Sequence, residues 1–454
     1  MDALAPEVLE HILSQVPIDS SPKELSATLS NCSLVSHNWR AIAQPLLFSE
    51  FIRYGGHYNP MRLYRTLLSH PRLQDLVKCI WVDTAVLSIT SDSDSFIGRL
   101  QEQQFSRSVI DLFHQLTSRP RPGLHHLIVD FVSEELEAQN LKIVASLISS
   151  PNLTVLSFTN VISAPIVILY QCPSIRELHL CRCSFSGFDR DGDGHLVRDE
   201  TSQVDWAGYP PPSKDRPRLS HLYLESTDIY EIRFIRWFLH LDCAFDISGL
   251  KTFHLLDASD EFDSYTLARD LVQKVSPSLE EFAFDPPTAF TDRDIYSSPE
   301  YATFDPLPEL RTLKLSLQQT GVSTGSESSL WTWAIQFMSG LAHPERLEEI
   351  QFVCSLAERV RDARGWEELD LFLTSVITDP EDEELSGGRK VWNLKRIWFG
   401  IVTVSDETTR LKKWESIAAI IPSLVPRIWG LGLVKVSLSN NWGHVHDSDC
   451  WYEG

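Results

Sequence analysis

A short phrase recurs along this chain and limits what it can fold into: apolar residue, two free positions, apolar residue, one free position, apolar residue. It runs as PGLHHLIV at Leu124, PNLTVLSF at Leu153, PSIRELHL at Ile175, PRLSHLYL at Leu219, GLKTFHLL at Leu250 and PSLEEFAF at Leu279. It continues as PELRTLKL at Leu310, RLEEIQF at Leu347, NLKRIWF at Leu394 and GLVKVSL at Leu433, with a weaker copy, VKCIWV, at Val77. The last three positions alternate apolar, free, apolar, as a strand with one buried face must. Helix-like stretches lie between phrases, at residues 134–149, 265–275, 330–341, 366–377 and 411–421. Strand, helix, strand in repetition predicts parallel pairing with right-handed crossovers. Each unit can bury its apolar face only against its neighbours, so the expected product is a solenoid. A doubly wound sheet is the competing arrangement, because buried parallel strands also read as apolar runs. The Pro that often stands two positions before the phrase argues against it.

The phrase resembles the leucine-rich repeat, whose strand reads L-x-x-L-x-L-x-x-N/C. Ile175, Leu178, Leu180 and Cys183 match it in full, as do Leu433, Val436, Leu438 and Asn441. Phrase starts are 22 residues apart at Leu153 and Ile175 but 47 apart at Val77 and Leu124, so the repeats are irregular and carry insertions. In a solenoid, the free residue between the last two apolar positions points out of the concave face. These are Trp81, Ile128, Ser157, His179, Tyr223, His254, Ala283, Lys314, Gln351, Trp398 and Ser437. Aromatic, imidazole and amide side chains on a rigid sheet suit protein recognition, which makes Trp81, His179, Tyr223, His254, Lys314, Gln351 and Trp398 candidate target-binding residues. The plainer reading is a solvated face, or one covered by the tail with its Trp442, Trp451 and Tyr452.

The N-terminus reads differently. Val8, Leu9, Ile12, Leu13 and Val16 recur at helical spacing behind Pro6, which suits a first helical turn. Ser21-Pro22-Lys23-Glu24 is a second start signal, opening a helix with Leu25 and Leu29. Ser36 then precedes Trp39, Ile42 and Ala43, which share the face of a third short helix that Pro45 is expected to stop. Three such helices bury too little among themselves and need a partner or the rest of the chain.

These residues resemble the F-box: Leu4, Pro6, Glu7, Val8, Leu9, Ile12 and Leu13, then Leu29, Cys32, Leu34, Val35, Trp39, Arg40, Ala43, Leu46, Leu47 and Phe48. The stretch CSLVSHNWRAIAQPLLF is particularly like fungal F-box proteins. The resemblance implies docking onto a Skp-type adaptor and, through it, a cullin-based ubiquitin ligase. Pro6, Val8, Leu9, Ile12, Leu34, Val35, Trp39 and Leu46 would serve that docking or the core beneath it. The polar insertion at residues 17–23 departs from the pattern. The expected architecture is therefore α/β: a helical F-box-like module over residues 1–50, then an irregular leucine-rich-repeat-like solenoid over 51–454. The expected role is a substrate-recognition subunit, not itself an enzyme, that binds an unidentified target protein. The alternative is a leucine-rich-repeat scaffold or inhibitor with a helical cap and no ligase role.

Composition narrows the partners. A net charge of -22 repels phosphate backbones and anionic lipid, so neither nucleic acid nor membrane is expected. No apolar run reaches a membrane span, and the acidic start MDALAPEVLE is unlike a secretory signal, which together suggest the cytosol or nucleus. Eight scattered cysteines suggest reduced, buried thiols.

One insertion, DRDGDGHLVRDE at residues 189–200, matches an EF-hand calcium loop, with Asp189, Asp191, Asp193, Gly194, Leu196 and Glu200 at its positions. A strand rather than a helix precedes it, no second loop pairs with it, and a solvated acidic insertion is the competing reading. His179, Cys181, Cys183 and His195 suggest a zinc site only weakly, as do His444, His446, Asp447, Asp449 and Cys450. No cofactor, metal or catalytic constellation is expected. Residues 91–95, 210–217, 320–329 and 379–388 read as loops between repeats rather than domain boundaries.

Overall fold

The computed structural model describes residues 22–50, 60–83, 124–130, 138–161, 164–186, 216–225, 231–240, 243–256, 262–285, 307–317, 328–355, 363–377, 392–402 and 420–439, with a few isolated positions between 108 and 116. The chain divides into two compact units, Met1–Pro217 and Arg218–Gly454. The division ends the PPPSKDRP stretch, which the sequence pattern alone had not marked as a boundary.

In the first unit, helices α1 (Pro22–Val35), α2 (His37–Glu50) and α3 (Pro60–Ser69) precede the sheet. Strands β1 (Cys79–Asp83), β2 (His126–Asp130), β3 (Val155–Thr159) and β5 (Glu177–Cys181) pair parallel in that order. Helix α4 (Ala138–Ile148) connects β2 to β3. Two-residue strands β4 (Ala164–Pro165) and β6 (Phe185–Ser186) pair separately.

The second unit repeats the scheme. Strands β7 (His221–Glu225), β8 (Thr252–Leu256), β9 (Glu281–Phe284), β10 (Thr312–Leu317), β11 (Glu349–Ser355), β12 (Arg396–Val402) and β13 (Val434–Ser439) pair parallel in chain order. Between them run α5 (Glu231–Leu239), α6 (Phe262–Val275), α7 (Ser328–Ser339), α8 (Ala363–Ile377) and the short α9 (Pro426–Gly430). Within each unit the described strands follow chain order without the reversal that marks a doubly wound sheet.

The same local device starts most strands. The first apolar residue of the phrase donates its N–H to the carbonyl three residues back: Val77 to Gln74, Leu153 to Ser150, Leu250 to Ile247, Leu279 to Ser276, Leu310 to Leu307 and Leu347 to Pro344, at 3.1–3.4 Å. That single 3₁₀ turn aims the chain into the strand. The recurring Pro sits inside it, where its fixed φ helps and its missing N–H costs nothing.

Alternation then sorts the faces. Phe253, Phe282, Phe284, Phe352 and Phe399 are buried toward the helices. Phe253 and Phe282 stack at 5.9 Å, and Phe352 and Phe399 at 5.4 Å. Trp333 and Phe337 of α7 meet Phe284 and Phe282, while Trp331 and Trp366 close on Phe352 and Phe399. Gly365 in α8 makes room for this: a Cβ there would lie 2.5 Å from the Trp331 ring. Truncating one such buried Phe to Ala costs about 3–5 kcal/mol.

Two expectations need correction. Pro45 does not end a helix, for α2 runs on to Glu50. Proline removes one donor, and the carbonyl it deprives belongs to Ala41, an exposed residue, so the loss leaves no buried acceptor unmet. The last repeat is also framed two residues earlier than its GLVKVSL pattern suggests. Val434 and Val436 pair with Ile397 and Phe399, so Lys435, not Ser437, stands opposite Trp398.

Candidate functional site

Two regions hold the candidate residues. The first is the α1–α2 hairpin. Ser36 separates the helices; its Oγ accepts the Trp39 N–H at 3.4 Å and its carbonyl accepts the Arg40 N–H at 2.9 Å, an N-cap arrangement. Arg40 Nε reaches back to the Ser33 carbonyl at 3.0 Å, bracing the turn. Leu29 and Ala43 are buried against each other, and Cys32, Trp39 and Ile42 pack around them. Trp39 is therefore a core residue. Leu34 and Val35 point the other way, 74% and 56% exposed. Leu34 and Val35 thus stand outside the core of the hairpin. Pro6, Val8, Leu9 and Ile12 lie outside the described residues; Leu46 falls in α2, but its side chain is not among those described.

The second region is the sheet face turned away from the helices. Registers place Trp81, Ile128, Ser157 and His179 in one row of the first unit, and Tyr223, His254, Ala283, Lys314, Gln351, Trp398 and Lys435 in one row of the second. The proposed target-binding residues thus do share rows; of Trp81 only the backbone is described. Depth separates the rest. His254, Gln351 and Trp398 are buried, while His179, Tyr223 and Lys314 are partly exposed.

Charged groups knit this face. His254 Nε2 and Lys314 Nζ lie 2.8 and 2.7 Å from Glu281 Oε1, and the Tyr223 ring stands edge-on to His254 at 4.6 Å. Burial alone would raise the Glu281 pKa, but the His254 hydrogen bond and the Lys314 charge outweigh it and hold the carboxyl far below the usual range. Gln351 Nε2 donates to Glu349 Oε1 at 2.6 Å, and Lys435 Nζ sits 5.2 Å from the Trp398 ring centre. In the first unit, His126 Nε2 meets Ser157 Oγ at 3.0 Å and His179 Nε2 meets Glu177 Oε1 at 2.7 Å. Ser157 is wholly buried, so this pair ties β2 to β3 rather than presenting a hydroxyl to solvent.

The weak zinc suggestion gains nothing from the geometry. Cys183 Sγ donates to the Phe158 and Cys181 carbonyls, and among the described residues no group of three His, Cys, Asp or Glu is placed to hold a metal ion. The calcium-like loop at 189–200 and the C-terminal histidines lie outside the described residues. Seven cysteines are described, and all are free thiols. Among the described residues no helix is long and apolar enough to cross a membrane.

An F-box domain is detected at residues 1–49. F-box domains generally bind Skp-type adaptors, which gives this N-terminus the general character of an adaptor-docking module of Skp–cullin–F-box ubiquitin ligases. No curated protein matches the chain.

Proposed function

We propose that this chain is a substrate-recognition subunit of a cullin-type ubiquitin ligase. The F-box docks a Skp-type adaptor, and an irregular leucine-rich-repeat-like body, residues 51–454, presents its helix-free strand face to a target protein. The chain contributes no catalysis of its own and works in the cytosol or nucleus. The observation that carries this reading is the outward-facing pair Leu34 and Val35 at the end of α1, within the stretch that matches the F-box. Chain-ordered parallel strands, six of them entered through a single 3₁₀ turn, support the repeat reading of the body.

The test is co-expression with a Skp-type adaptor followed by size-exclusion chromatography. Burial of two such side chains against a partner contributes about 3 kcal/mol, so Leu34→Asp with Val35→Asp should weaken the complex by about two orders of magnitude. Because both residues are exposed, the variant keeps its circular dichroism and melting profile. Unchanged co-elution overturns this docking surface. A wild-type chain that elutes alone and well folded overturns the ligase reading and leaves a repeat scaffold with a helical cap.

A further inference from the structure

The proposed role leaves open what chemistry the strand face is built to hold, and one corner of the second unit's sheet answers it. Glu349 and Gln351 stand two residues apart on β11, on the face away from the helices. The bond from Gln351 Nε2 to Glu349 Oε1, 2.6 Å long, fixes which way the amide points. Its Oε1 is left buried with no hydrogen-bond partner, on a residue only 8% exposed. On the neighbouring strand, Ser316 lies two residues beyond Lys314, the register partner of Gln351, and its Oγ is likewise buried without a partner. Leaving a buried acceptor unmet is costly, so natural folds seldom keep one without use. The group missing at Gln351 is a donor.

The surroundings narrow the donor. Trp398 is the register partner of Gln351 on β12, and Lys435 of the last described strand is the register partner of Trp398. The Lys435 ammonium stands over the Trp398 ring at 5.2 Å, so the indole already carries a cation supplied by the chain itself. Glu349 keeps partial exposure, and Arg396 forms a long ion pair with it, Nη1 to Oε2 3.7 Å, too long for a hydrogen bond and open to solvent screening. Glu281, another carboxylate on this face, is engaged by His254 and Lys314.

We propose that the Glu349–Gln351–Trp398 corner is a seat for a basic side chain of the target, arginine by preference, with Lys435 as its internal stand-in. A guanidinium is planar and carries five donors. It stacks on an indole while donating sideways to a carboxylate and an amide oxygen, which is the set of groups offered here. An anionic group would meet the orphaned amide oxygen with another acceptor. The net charge of -22 draws basic segments toward the chain before contact.

This inference rests on the reading that the strand face holds the target, and its test separates the two. The full-length chain is titrated, by fluorescence anisotropy at physiological salt, against a labelled glycine peptide carrying two arginines. Matched peptides carry citrulline or glutamate at the same positions. The arginine peptide should bind and the other two should not. Lys435→Ala, on an exposed strand residue, should tighten binding severalfold by vacating the ring. Gln351→Leu and Glu349→Gln should each weaken it at least tenfold, with urea midpoints confirming that the variants fold. Equal binding by wild type and all three variants would reduce the effect to diffuse attraction by an acidic surface and overturn the seat. So would preference for the glutamate peptide, or no binding by either wild type or Lys435→Ala. If Gln351→Leu misfolds, Lys435→Ala and Glu349→Gln still decide. Adaptor co-elution is scored in parallel: peptide binding without adaptor binding removes the ligase reading alone, and adaptor binding without peptide binding removes the seat alone.

Discussion

Replacing Glu281 by Gln perturbs the most strongly coupled charge on the strand face while changing almost no volume. The carboxylate receives His254 Nε2 and Lys314 Nζ at 2.8 and 2.7 Å. Both donors meet the same oxygen, Oε1, so a glutamine whose amide oxygen takes that place keeps both contacts but withdraws the negative charge that strengthens them. Charge-assisted hydrogen bonds contribute about 1.5–3 kcal/mol each, and the side chain retains 29% exposure, which screens part of that. The expected loss for Glu281→Gln at pH 7 is therefore about 2–3 kcal/mol.

The pH dependence separates charge from packing. In the folded chain the Glu281 carboxyl titrates far below its ordinary value of 4.5. Its stabilisation is complete above that value and declines as pH falls beneath it, because the unfolded chain takes up the proton while the native carboxylate stays ionised. The decline is about 1.4 kcal/mol per pH unit. Urea denaturation at pH 7 and pH 3.5 should thus show the gap between wild type and Glu281→Gln shrinking by about 1.4 kcal/mol. An equal gap at both pH values would refute the ion-pair account and leave Glu281 as a space-filling residue.

Two further predictions concern other parts of the chain. Asp370 of α8 is buried and caps α9 from outside, its Oδ1 and Oδ2 accepting the Ile428 and Arg427 N–H groups at 2.9 and 3.2 Å. Asp370→Ala should cost about 2–4 kcal/mol in urea denaturation and Asp370→Asn about half as much, since asparagine keeps one acceptor; unaltered amide exchange at Ile428 in Asp370→Ala would contradict the cap. Burial pushes the Cys172, Cys183 and Cys354 thiols far up, whereas Cys32 is raised with its own backbone hydrogen bond opposing and remains only half-buried. Iodoacetamide at mildly alkaline pH, read by peptide mass, should therefore modify Cys32 before any other described cysteine; earlier labelling of Cys172 would refute the ranking.

Most strands were legible because period-two alternation and parallel pairing impose the same constraint from two sides. The helical stretches expected at 265–275, 330–341 and 366–377 correspond to α6, α7 and α8 within a few residues. Helix α5 was missed although Phe234, Ile235, Trp237 and Phe238 form one buried stripe at helical spacing, because EIRFIRWFL is only nine residues long and shows the period for little more than two turns. Among the short N-terminal helices, apolar residues fall on every side, so the pattern could not separate the buried Leu29 and Ala43 from the outward Leu34 and Val35.

The strand face shows most clearly what a pattern can and cannot specify. Alternation assigns a residue to a side of the sheet, but not how deeply its neighbours on adjoining strands cover it. Parallel strands stand about 4.8 Å apart, so flanking side chains bury His254, Gln351 and Trp398 at positions that the phrase marks only as free. The same period explains the one misplaced row. A frame shifted by two residues keeps every side chain on its face, so GLVKVSL fits equally well from Leu431 or Leu433 by polarity alone. Only the pairing of Val434 with Ile397 selects the earlier frame. That selection sets Lys435 rather than Ser437 opposite Trp398, and it turns a row of unrelated polar residues into an indole carrying a cation beside an unmet acceptor.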